Sequence, residues 1–340
     1  MNRKNFLGSA LASAIALPSL GKTEFYNEAT TALPVLPKYL KEGDTIGITS
    51  PAGYITLEEI QPAVKLTESF GYKVLIGDTI GKRDFTFGGT DEERTKDFQQ
   101  MLDDPNVKAI LCARGGYGAV RIIDKLNWTK FKAKPKWIIG FSDITVFHAH
   151  LNRNFGIASI HSKMCNSYPE NWTDAEAIQK ETIMALYHLL EGIRQEYNPI
   201  PNANNRVGFG EGLLVGGNLK ILETLAGTSS DLKTDGKILF VEDTNEQLYS
   251  IDRMFWHLKR TGKLSNLKGL VIGGFKVKIE EGSDDFGKTV EEIVIEKVKT
   301  YKYPICFDFP VGHQRNNYPI KHGAKHRLTV NPEFVTLREV

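Results

Sequence analysis

The fold is decided by one stretch of sequence, WIIGFSDIT at residues 137–145. An apolar run ends at Gly140, and a second apolar segment, 144–151, follows the polar Ser142-Asp143 pair at once. This order is typical of a strand, a tight turn and a helix. A serine on such a turn has its hydroxyl exposed at the end of a sheet, beside the free amides of a helix N-terminus. The stretch therefore predicts a site for a nucleophile.

Strands and helices alternate on the N-terminal side of this stretch. Apolar patterning predicts strands at 45–50, 72–76 and 107–112, and helices at 57–70, 91–102 and 119–126. Short strands that alternate with helices predict a parallel sheet covered by helices on both faces. Ligands of such sheets bind at the carboxyl ends of the strands. The two glycine-rich turns, 115–118 and 140–143, both fall at predicted strand ends, which favours a site there.

The length of 340 residues allows two domains. We predict an α/β protein with an N-terminal parallel-sheet sandwich domain at 37–165 and a second, smaller, β-rich C-terminal α/β domain at 206–340. Between them, residues 166–205 are looser and contain three prolines, which indicates an interdomain crossover. In the second domain we predict helices at 219–226, 250–260 and 290–300, and strands at 237–241, 269–274 and within 305–337.

The N-terminus has the pattern of a signal peptide. Arg3 and Lys4 precede an uncharged apolar segment, 6–20, which is too short for a transmembrane helix. We predict a signal peptide at 1–21 and a tether at 22–36, and therefore an exported, periplasmic protein. The alternative is an uncleaved cytosolic extension, with the protein in the cytoplasm. No other segment is predicted to insert stably in a membrane.

The bulk composition is ordinary for a globular protein. Hydrophobic residues make up 41% and charged residues 25%, and the formal net charge is +2. This balance argues against nucleic acid or an anionic membrane as the main partner. Three scattered cysteines are too few for a disulfide framework or a cysteine zinc site. The sequence predicts neither a metal nor another cofactor.

A serine nucleophile needs a base, a group that orients the base, and donors for the oxyanion. Ser142 is the candidate nucleophile, although the Gly-x-Ser pattern at 140–142 is common in proteins whose serine is not catalytic. The backbone amide of Asp143 is the natural first oxyanion donor. The turn at Gly115 and Gly116 is the natural second, because a glycine backbone can approach a ligand closely.

The candidate base is one of eight histidines. His313 follows an apolar run inside the rigid turn FPVGHQ (309–314), which suits a positioned base. His161 ends a strand-like run and is a second candidate for lining the site. The basic stretch that holds His322 and His326 is expected to be a solvated surface. The remaining histidines fall in predicted helices, where packing or solvation is the expected role: His148, His150, His188 and His257.

The candidate acid follows the apolar strand ILFV (238–241). Glu242 comes directly after this strand, and Asp243 is next to it. Either carboxylate suits the end of a buried strand at a site, and Asp243 also suits a cap for the helix that begins near Ser250. The residues by themselves leave the choice open.

Several separated motifs, in order along residues 40–340, resemble the LD-carboxypeptidase family of serine peptidases, which also contains the microcin C immunity hydrolases. The matching segments are GDTI (43–46), SPAG (50–53), RGGYG (114–118), IGFSDIT (139–145), GGNL (216–219), LFVED (239–243) and VGH (311–313).

The resemblance implies a triad of Ser142, Glu242 and His313 that is assembled across two domains. It places the oxyanion hole at the amides of Asp143 and of the 115–116 turn. It implies a metal-free hydrolase, commonly homodimeric, that cleaves the bond between an L-centre, meso-diaminopimelate or Lys, and the terminal D-Ala of murein tetrapeptides. The predicted export signal departs from family members that recycle murein in the cytoplasm.

Three residues are candidates for binding the substrate. Arg114 suits the substrate carboxylate or, equally, a brace for its own loop. Tyr117 is an aromatic in a glycine turn and is expected to line the cleft. Asn218 precedes a predicted helix and suits either the site or the helix N-cap. Two other functions compete with the carboxypeptidase: hydrolysis of peptidyl-nucleotide conjugates, and non-catalytic periplasmic binding of muropeptides or a phosphorylated ligand.

Overall fold

The computed structural model describes residues 34–278 and 286–340. The predicted signal peptide, 1–21, and residues 22–33 of the predicted tether lie outside these ranges. Within the described ranges the helices and strands form two sheets and their covering layers. No helix in this part of the chain has the length and apolar character needed to cross a bilayer.

The first sheet, called the N-terminal sheet, has five parallel strands. They are β1 (Thr45–Thr49), β2 (Lys73–Ile76), β3 (Val107–Cys112), β4 (Trp137–Gly140) and β5 (Ser159–His161). A sixth strand comes from far along the chain: β11 (Ile320–His322) pairs antiparallel with β5 at the edge. The spatial order is β11-β5-β4-β3-β1-β2. The C-terminal part of the chain therefore completes the sheet that carries Ser142.

Helices cover both faces of the N-terminal sheet. They are α1 (Leu57–Ser69), α2 (Asp91–Asp103), α3 (Ala119–Ile122), α4 (Thr129–Ala133), α5 (Thr145–Phe155) and α6 (Ala177–Glu191). Capping boxes begin α1 at Thr56 and α2 at Thr90. Apolar residues of α1 and α6 share one buried cluster with the sheet, so α6, inside the predicted crossover, packs on the N-terminal core.

The second sheet, called the C-terminal sheet, is mixed. Its strands are β6 (Glu196–Tyr197), β7 (Gly208–Asn218), β8 (Ile238–Glu246), β9 (Gly269–Val277), β10 (Ile305–Cys306), β12 (Lys325–Val330) and β13 (Val335–Glu339). The spatial order is β10-β9-β8-β7-β12-β13-β6, parallel from β10 to β7 and antiparallel from β7 to β6. The glycine-rich segment at 208–218 is thus a long central strand.

Three helices belong to the C-terminal sheet: α7 (Leu219–Thr224), α8 (Leu248–Arg260) and α9 (Val290–Val298). One apolar cluster runs from α5 into this layer, because Phe147 of α5 and Leu219 of α7 are both buried in it. The predicted class, α/β with a parallel N-terminal sheet and a β-rich second part, is confirmed. The continuous core holds the two sheets in a fixed relation, which a site divided between them needs.

The expectation that His322 and His326 form a solvated surface is wrong. The exposed fractions are 0% for His322 and 3% for His326. The basic stretch lies on β11 and β12, which are paired strands of the two sheets, and its two histidines point into the protein interior, whereas Lys325 is exposed. The ring of His322 lies 5.6 Å from the ring of His148 on α5, in a stacked arrangement. Lys321 is also buried and pairs with Glu339 at 2.8 Å.

Candidate active site

Ser142 lies on a strained turn at the carboxyl end of β4. Residues 142–144 form one turn of 3₁₀ helix, and α5 begins directly after it. The backbone φ of Ser142 is 63°, in the left-handed region that side chains other than glycine rarely adopt. Strain of this kind persists only where the surrounding structure enforces it, and it is concentrated at functional sites. The turn presents the hydroxyl away from the sheet, as the sequence predicts.

The three side chains of the predicted triad are hydrogen-bonded in series. His313 Nδ1 donates to Glu242 Oε2 over 2.6 Å, because a carboxylate oxygen accepts and the ring nitrogen must carry the proton. With that tautomer, His313 Nε2 accepts from Ser142 Oγ over 3.2 Å. Ser142 comes from the N-terminal sheet, Glu242 from β8, and His313 from the loop after β10. Residues far apart in the sequence therefore converge between the two sheets.

Close packing fixes the carboxylate and the histidine loop. Glu242 is fully buried. Gly312 has φ 98°, and a Cβ there would lie 2.5 Å from Glu242 Cβ, so only glycine fits beside the carboxylate. The Gly312 amide donates to Asn317 Oδ1 over 2.8 Å, and the Gly274 amide donates to Val311 O over 3.0 Å. The loop that carries His313 is thereby held from both sides.

Asp243, the other candidate acid, has a different task. Its Oδ2 accepts from the Lys220 amide over 2.9 Å, and its Oδ1 accepts from Asn218 Nδ2 over 3.0 Å. The carboxylate thus lies at the first turn of α7, so the expectation that it caps the helix near Ser250 is wrong. Burial raises the pKa of Asp243 to about 6. Of the two adjacent carboxylates, Glu242 is the one that contacts a histidine.

The predicted oxyanion turn lies directly against Ser142. A Cβ on Gly115 would lie 3.0 Å from Ser142 Cβ and 3.3 Å from Ser142 Oγ. The amide of Asp143 belongs to the first turn of a helical segment, where N–H groups have no intrahelical partner. Gly116 has φ 97° and completes the turn. The amides predicted as oxyanion donors therefore belong to two backbone turns that meet at the serine.

Buried side chains lock these turns together. Asp143 Oδ2 accepts from the Ala119 amide over 2.8 Å, and burial raises the pKa of this carboxyl to about 6. Arg94, fully buried on α2, donates through Nη1 to Pro51 O over 2.7 Å and to Gly118 O over 2.9 Å. Sequence reasoning overlooked Arg94. The sequence did contain a sign of its buried role: Arg94 falls on the apolar face of the predicted helix, where a solvated cation is not expected.

The three residues predicted to bind the substrate make contacts with other parts of the protein. Arg114 Nη1 donates to Tyr54 O over 3.2 Å, which braces its own loop. Tyr117 is 52% exposed, and its ring lies 5.5 Å from the ring of Phe87. Asn218 is the N-cap of α7, with Oδ1 accepting from the Ile221 amide over 3.1 Å. The sequence left two roles open for each of two residues. The structure shows Asn218 as a helix N-cap and Arg114 as a side chain that supports its loop.

A cleft of about 660 Å³ opens beside His313. Its walls include residues that sequence reasoning did not select as site residues. They come from the turn after β4, the segment after β5, the start of α6, β9 and the histidine loop: Phe141, Lys163, Ser167, Pro169, Asn171, Asp174, Ala175, Glu176, Gln179, Lys276, Gly312, Gln314, Arg315 and Asn317. Both signs of charge are present. The second histidine candidate, His161, is not at the cleft: it is fully buried, with its ring 5.8 Å from the Phe141 ring.

Metal coordination has no obvious place in the described ranges. Across residues 34–278 and 286–340, no group of three His, Cys, Asp or Glu side chains is arranged to hold a metal ion. The three cysteines are free and buried, at positions 112, 165 and 306.

Comparison with known families gives two matches that follow one another along the chain. Residues 46–162 match the LD-carboxypeptidase N-terminal domain, and residues 211–328 match the LD-carboxypeptidase C-terminal domain. The first match contains Ser142, and the second contains Glu242 and His313. Together the two matches cover more than half of the chain.

Individual relatives agree with the family matches. The chain is 32% identical over 294 residues to the probable murein peptide carboxypeptidase of Bacillus subtilis, which covers 85% of this chain and 90% of the relative. It is 24% identical over 334 residues to the microcin C7 self-immunity protein MccF of Escherichia coli, over 90% and 96%. The crystal structure of muramoyltetrapeptide carboxypeptidase from Oxalobacter formigenes matches with a TM-score of 0.76 and 28% identity, over 87% and 98%.

Proposed function

The chain belongs to the LD-carboxypeptidase family, and on that premise we propose that it is a serine carboxypeptidase that releases the terminal D-Ala from murein tetrapeptides. One observation carries the proposal: Ser142, His313 and Glu242 form a continuous series of hydrogen bonds of 3.2 Å and 2.6 Å across the two sheets. A nucleophile, a base and an orienting acid in that order are the elements of serine hydrolysis.

In the first step one proton moves from the Ser142 hydroxyl to His313 Nε2. Glu242 holds the His313 tautomer whose Nε2 is free of hydrogen, so this nitrogen takes the proton of Ser142. Ser142 Oγ then attacks the carbonyl carbon before the terminal D-Ala. Glu242 stabilises the imidazolium that results, and its complete burial makes that interaction strong.

The oxyanion is held by the amides of Asp143 and of the 115–116 turn. When the tetrahedral intermediate collapses, the C–N bond breaks and His313 gives its proton to the departing amine of D-Ala. An acyl-enzyme on Ser142 remains, and water hydrolyses it through the same base. The turns that carry these amides are held in place by buried side chains. The amides therefore need no reorganisation as negative charge develops on the carbonyl oxygen.

The cleft favours a charged peptide over a nucleotide conjugate. Phe141 is the aromatic residue among the described residues that line it, and its ring packs 4.9 Å from the His313 ring. Stacking on a base would need a free aromatic face. The walls instead carry ammonium, guanidinium and carboxylate groups that match a murein stem peptide. The non-catalytic alternative gives no reason for the strained φ of Ser142 beside a hydrogen-bonded base.

The test is mass spectrometry of purified murein tetrapeptide incubated with the protein. Loss of one alanine from the carboxyl end is expected with the wild type and not with Ser142→Ala. Ser167→Ala is the matched control, because it removes the same hydroxyl from the wall of the same cleft. A fluorophosphonate should label the wild type and the control but not Ser142→Ala. Equal D-Ala release by Ser142→Ala would contradict the proposal. Cleavage of an added aminoacyl-nucleotide conjugate, with no release of D-Ala from the tetrapeptide, would also contradict it.

Export and self-association remain proposals. We propose an exported protein because of the pattern in residues 1–21, and a homodimer because of the family resemblance. N-terminal sequencing of protein recovered from cell fractions tests the first proposal, and light scattering of the purified protein tests the second. A full-length chain confined to the cytoplasm would contradict export, and a monomeric mass at micromolar concentration would contradict the dimer.

A further inference from the structure

Lys163 occupies an unusual position in the wall of the cleft. It follows β5 by two residues, at the carboxyl end of the N-terminal sheet, and it lines the cleft together with His313. Only 6% of the residue is exposed. Lysine is almost never buried to this extent unless it is paired, because transferring an ammonium group out of water is unfavourable.

The hydrogen bonds of Lys163 end on neutral groups. Its Nζ donates to Thr182 Oγ1 over 2.6 Å and to Arg315 O over 2.8 Å. The Thr182 hydroxyl donates in turn to Ile178 O over 2.8 Å, so its oxygen is an acceptor for the lysine. An ammonium has three N–H donors, and these two acceptors engage two of them.

No carboxylate in the described ranges lies within ion-pair distance of Lys163. The acid that acts on it electrostatically is Glu176, but Glu176 pairs with Arg315 at 2.5 Å. Burial lowers the pKa of Lys163 to about 8, so the group is still mostly protonated at neutral pH. A buried positive charge therefore faces the cleft without a counter-ion.

The other buried cations of the described ranges are compensated. Arg94 pairs with Asp91, Lys297 with Asp252, and Lys321 with Glu339. Lys136 donates to two carbonyls at the carboxyl end of α2, Met101 O and Asp104 O, where the helix dipole favours a cation. Lys163 has neither a carboxylate nor a helix terminus, and it is the buried cation that lines the cleft.

We propose that the ammonium of Lys163 binds a carboxylate of the peptide substrate. This inference rests on the proposed function and names a residue of recognition within it. The two residues that flank the scissile bond each offer a carboxylate: the terminal D-Ala, and a diaminopimelate at the third position through its side chain. The bound carboxylate is then the counter-ion of the buried Lys163 ammonium.

The experiment compares Lys163→Met and Lys163→Arg on three substrates. They are the free-acid tetrapeptide, the same peptide with the terminal carboxyl as its amide, and the same peptide with the diaminopimelate side-chain carboxyl as its amide. For the free acid, Lys163→Met should lower kcat/KM about 10- to 100-fold, the range for a hydrogen bond to a charged group. Lys163→Arg keeps the charge and should retain most of the rate. The carboxylate that Lys163 binds is the one whose amidation removes the difference between Lys163→Met and the wild type.

A small neutral ester provides the readout that separates binding from loop support. Lys163 also holds the histidine loop through Arg315 O. A purely structural role would lower the hydrolysis of the ester as much as that of the peptide, and this result would overturn the proposal. Unchanged ester hydrolysis with weakened peptide hydrolysis supports it. Lys180→Met is the matched control, because it removes a half-buried ammonium on α6 that does not line the cleft.

Binding is measured separately, so that failure of the proposed function is distinguishable. In the Ser142→Ala background, Lys163→Met should weaken the calorimetric Kd for the free-acid tetrapeptide by a similar factor of about 10 to 100. An unchanged Kd would contradict the lysine proposal even if the wild type releases D-Ala. A wild type that binds the peptide but releases no D-Ala would contradict the proposed function and leave the binding result to decide on Lys163.

Discussion

The serine half and the histidine half of the site are built in different ways. The serine half comes from consecutive residues, 137–145, in which a strand, a strained turn and a helix follow one another. In the histidine half, Glu242 and His313 are 71 positions apart and meet only in the folded chain. The position of the nucleophile is therefore encoded locally, whereas the orientation of the base depends on contacts between distant segments.

Removing either partner of the hydrogen bond between Ser142 and His313 should have the largest effect on kcat. Ser142→Ala and His313→Ala should each lower kcat for D-Ala release by about 10⁴-fold or more, and the double variant should lose no more than either, because both residues serve one proton transfer. Steady-state D-Ala release measures this. His257→Ala, on α8 and outside the cleft lining, should keep the wild-type rate. Additive losses in the double variant would mean that the halves act independently.

Glu242→Gln tests the orientation of the base alone. The amide can donate a hydrogen bond to His313 Nδ1 and so favours the wrong tautomer, and kcat should fall by roughly 10³- to 10⁴-fold with little change in KM. Separate determination of kcat and KM checks this. Glu246→Gln, on the same strand, is the control. A normal kcat for Glu242→Gln would show that the histidine half needs no acid.

Gly312→Ala tests how tightly the histidine half is packed. The added Cβ would approach Glu242 to 2.5 Å at a φ of 98°, so we expect kcat to fall about 10²-fold from misplacement of the base. The strained backbone should also lower the free energy of unfolding by about 1–3 kcal/mol. Gly227→Ala is the control for backbone strain, with φ 79° and open space around the Cβ. If both variants keep full activity, the fit around Glu242 is not required.

The smallest expected effect concerns four buried histidines, which lie on α5, β5, β11 and β12. The pKa values of His148 and His326 are lowered by burial to about 4, and burial also lowers those of His161 and His322. These histidines are neutral in the fold but take up protons near pH 6.5 when the chain unfolds. Their contribution to stability is therefore complete above pH 6.5 and is lost progressively as the pH falls below it, because the unfolded chain then binds more protons than the folded chain.

His322→Leu separates one of these contributions. Thermal unfolding between pH 7.5 and 5 should be less steeply pH-dependent in this variant than in the wild type, because the unfolded chain binds one proton fewer. His188→Leu, on α6, is the control for loss of a histidine outside this buried group. An identical pH dependence in the wild type and His322→Leu would mean that His322 is protonated within the fold.

Much of the fold could be predicted because its signals are local. The strands at 107–112 and 137–140 are short, apolar and bounded by polar or glycine residues, and they form as predicted. Ser142 and its turn were readable for the same reason. The glycine-rich segment 208–218 was not recognised as a strand, because glycines weaken the usual strand pattern even where a neighbouring backbone requires them.

Other features could not be predicted because they depend on which segments become neighbours. The basic appearance of 321–327 indicated a surface, but pairing of β11 with β5 and of β12 with β7 buries its histidines. Lys163 and Arg315 had no distinguishing pattern, and they form one wall only because the histidine loop folds over the segment after β5. Asn218 gave two possibilities, and the hydrogen bond from the Ile221 amide to its side chain shows the helix cap.

From local patterning alone, the layered α/β architecture, the position of the serine turn and the candidacy of Ser142 as nucleophile could be predicted. Short-range patterning carries this information, because strand, turn and helix preferences act over a few residues. Only the tertiary structure decided that Glu242 rather than Asp243 contacts the histidine, that β11 completes the serine-bearing sheet, and that a buried ammonium faces the cleft. These features follow from packing between segments more than 70 residues apart, and no local pattern specifies such contacts.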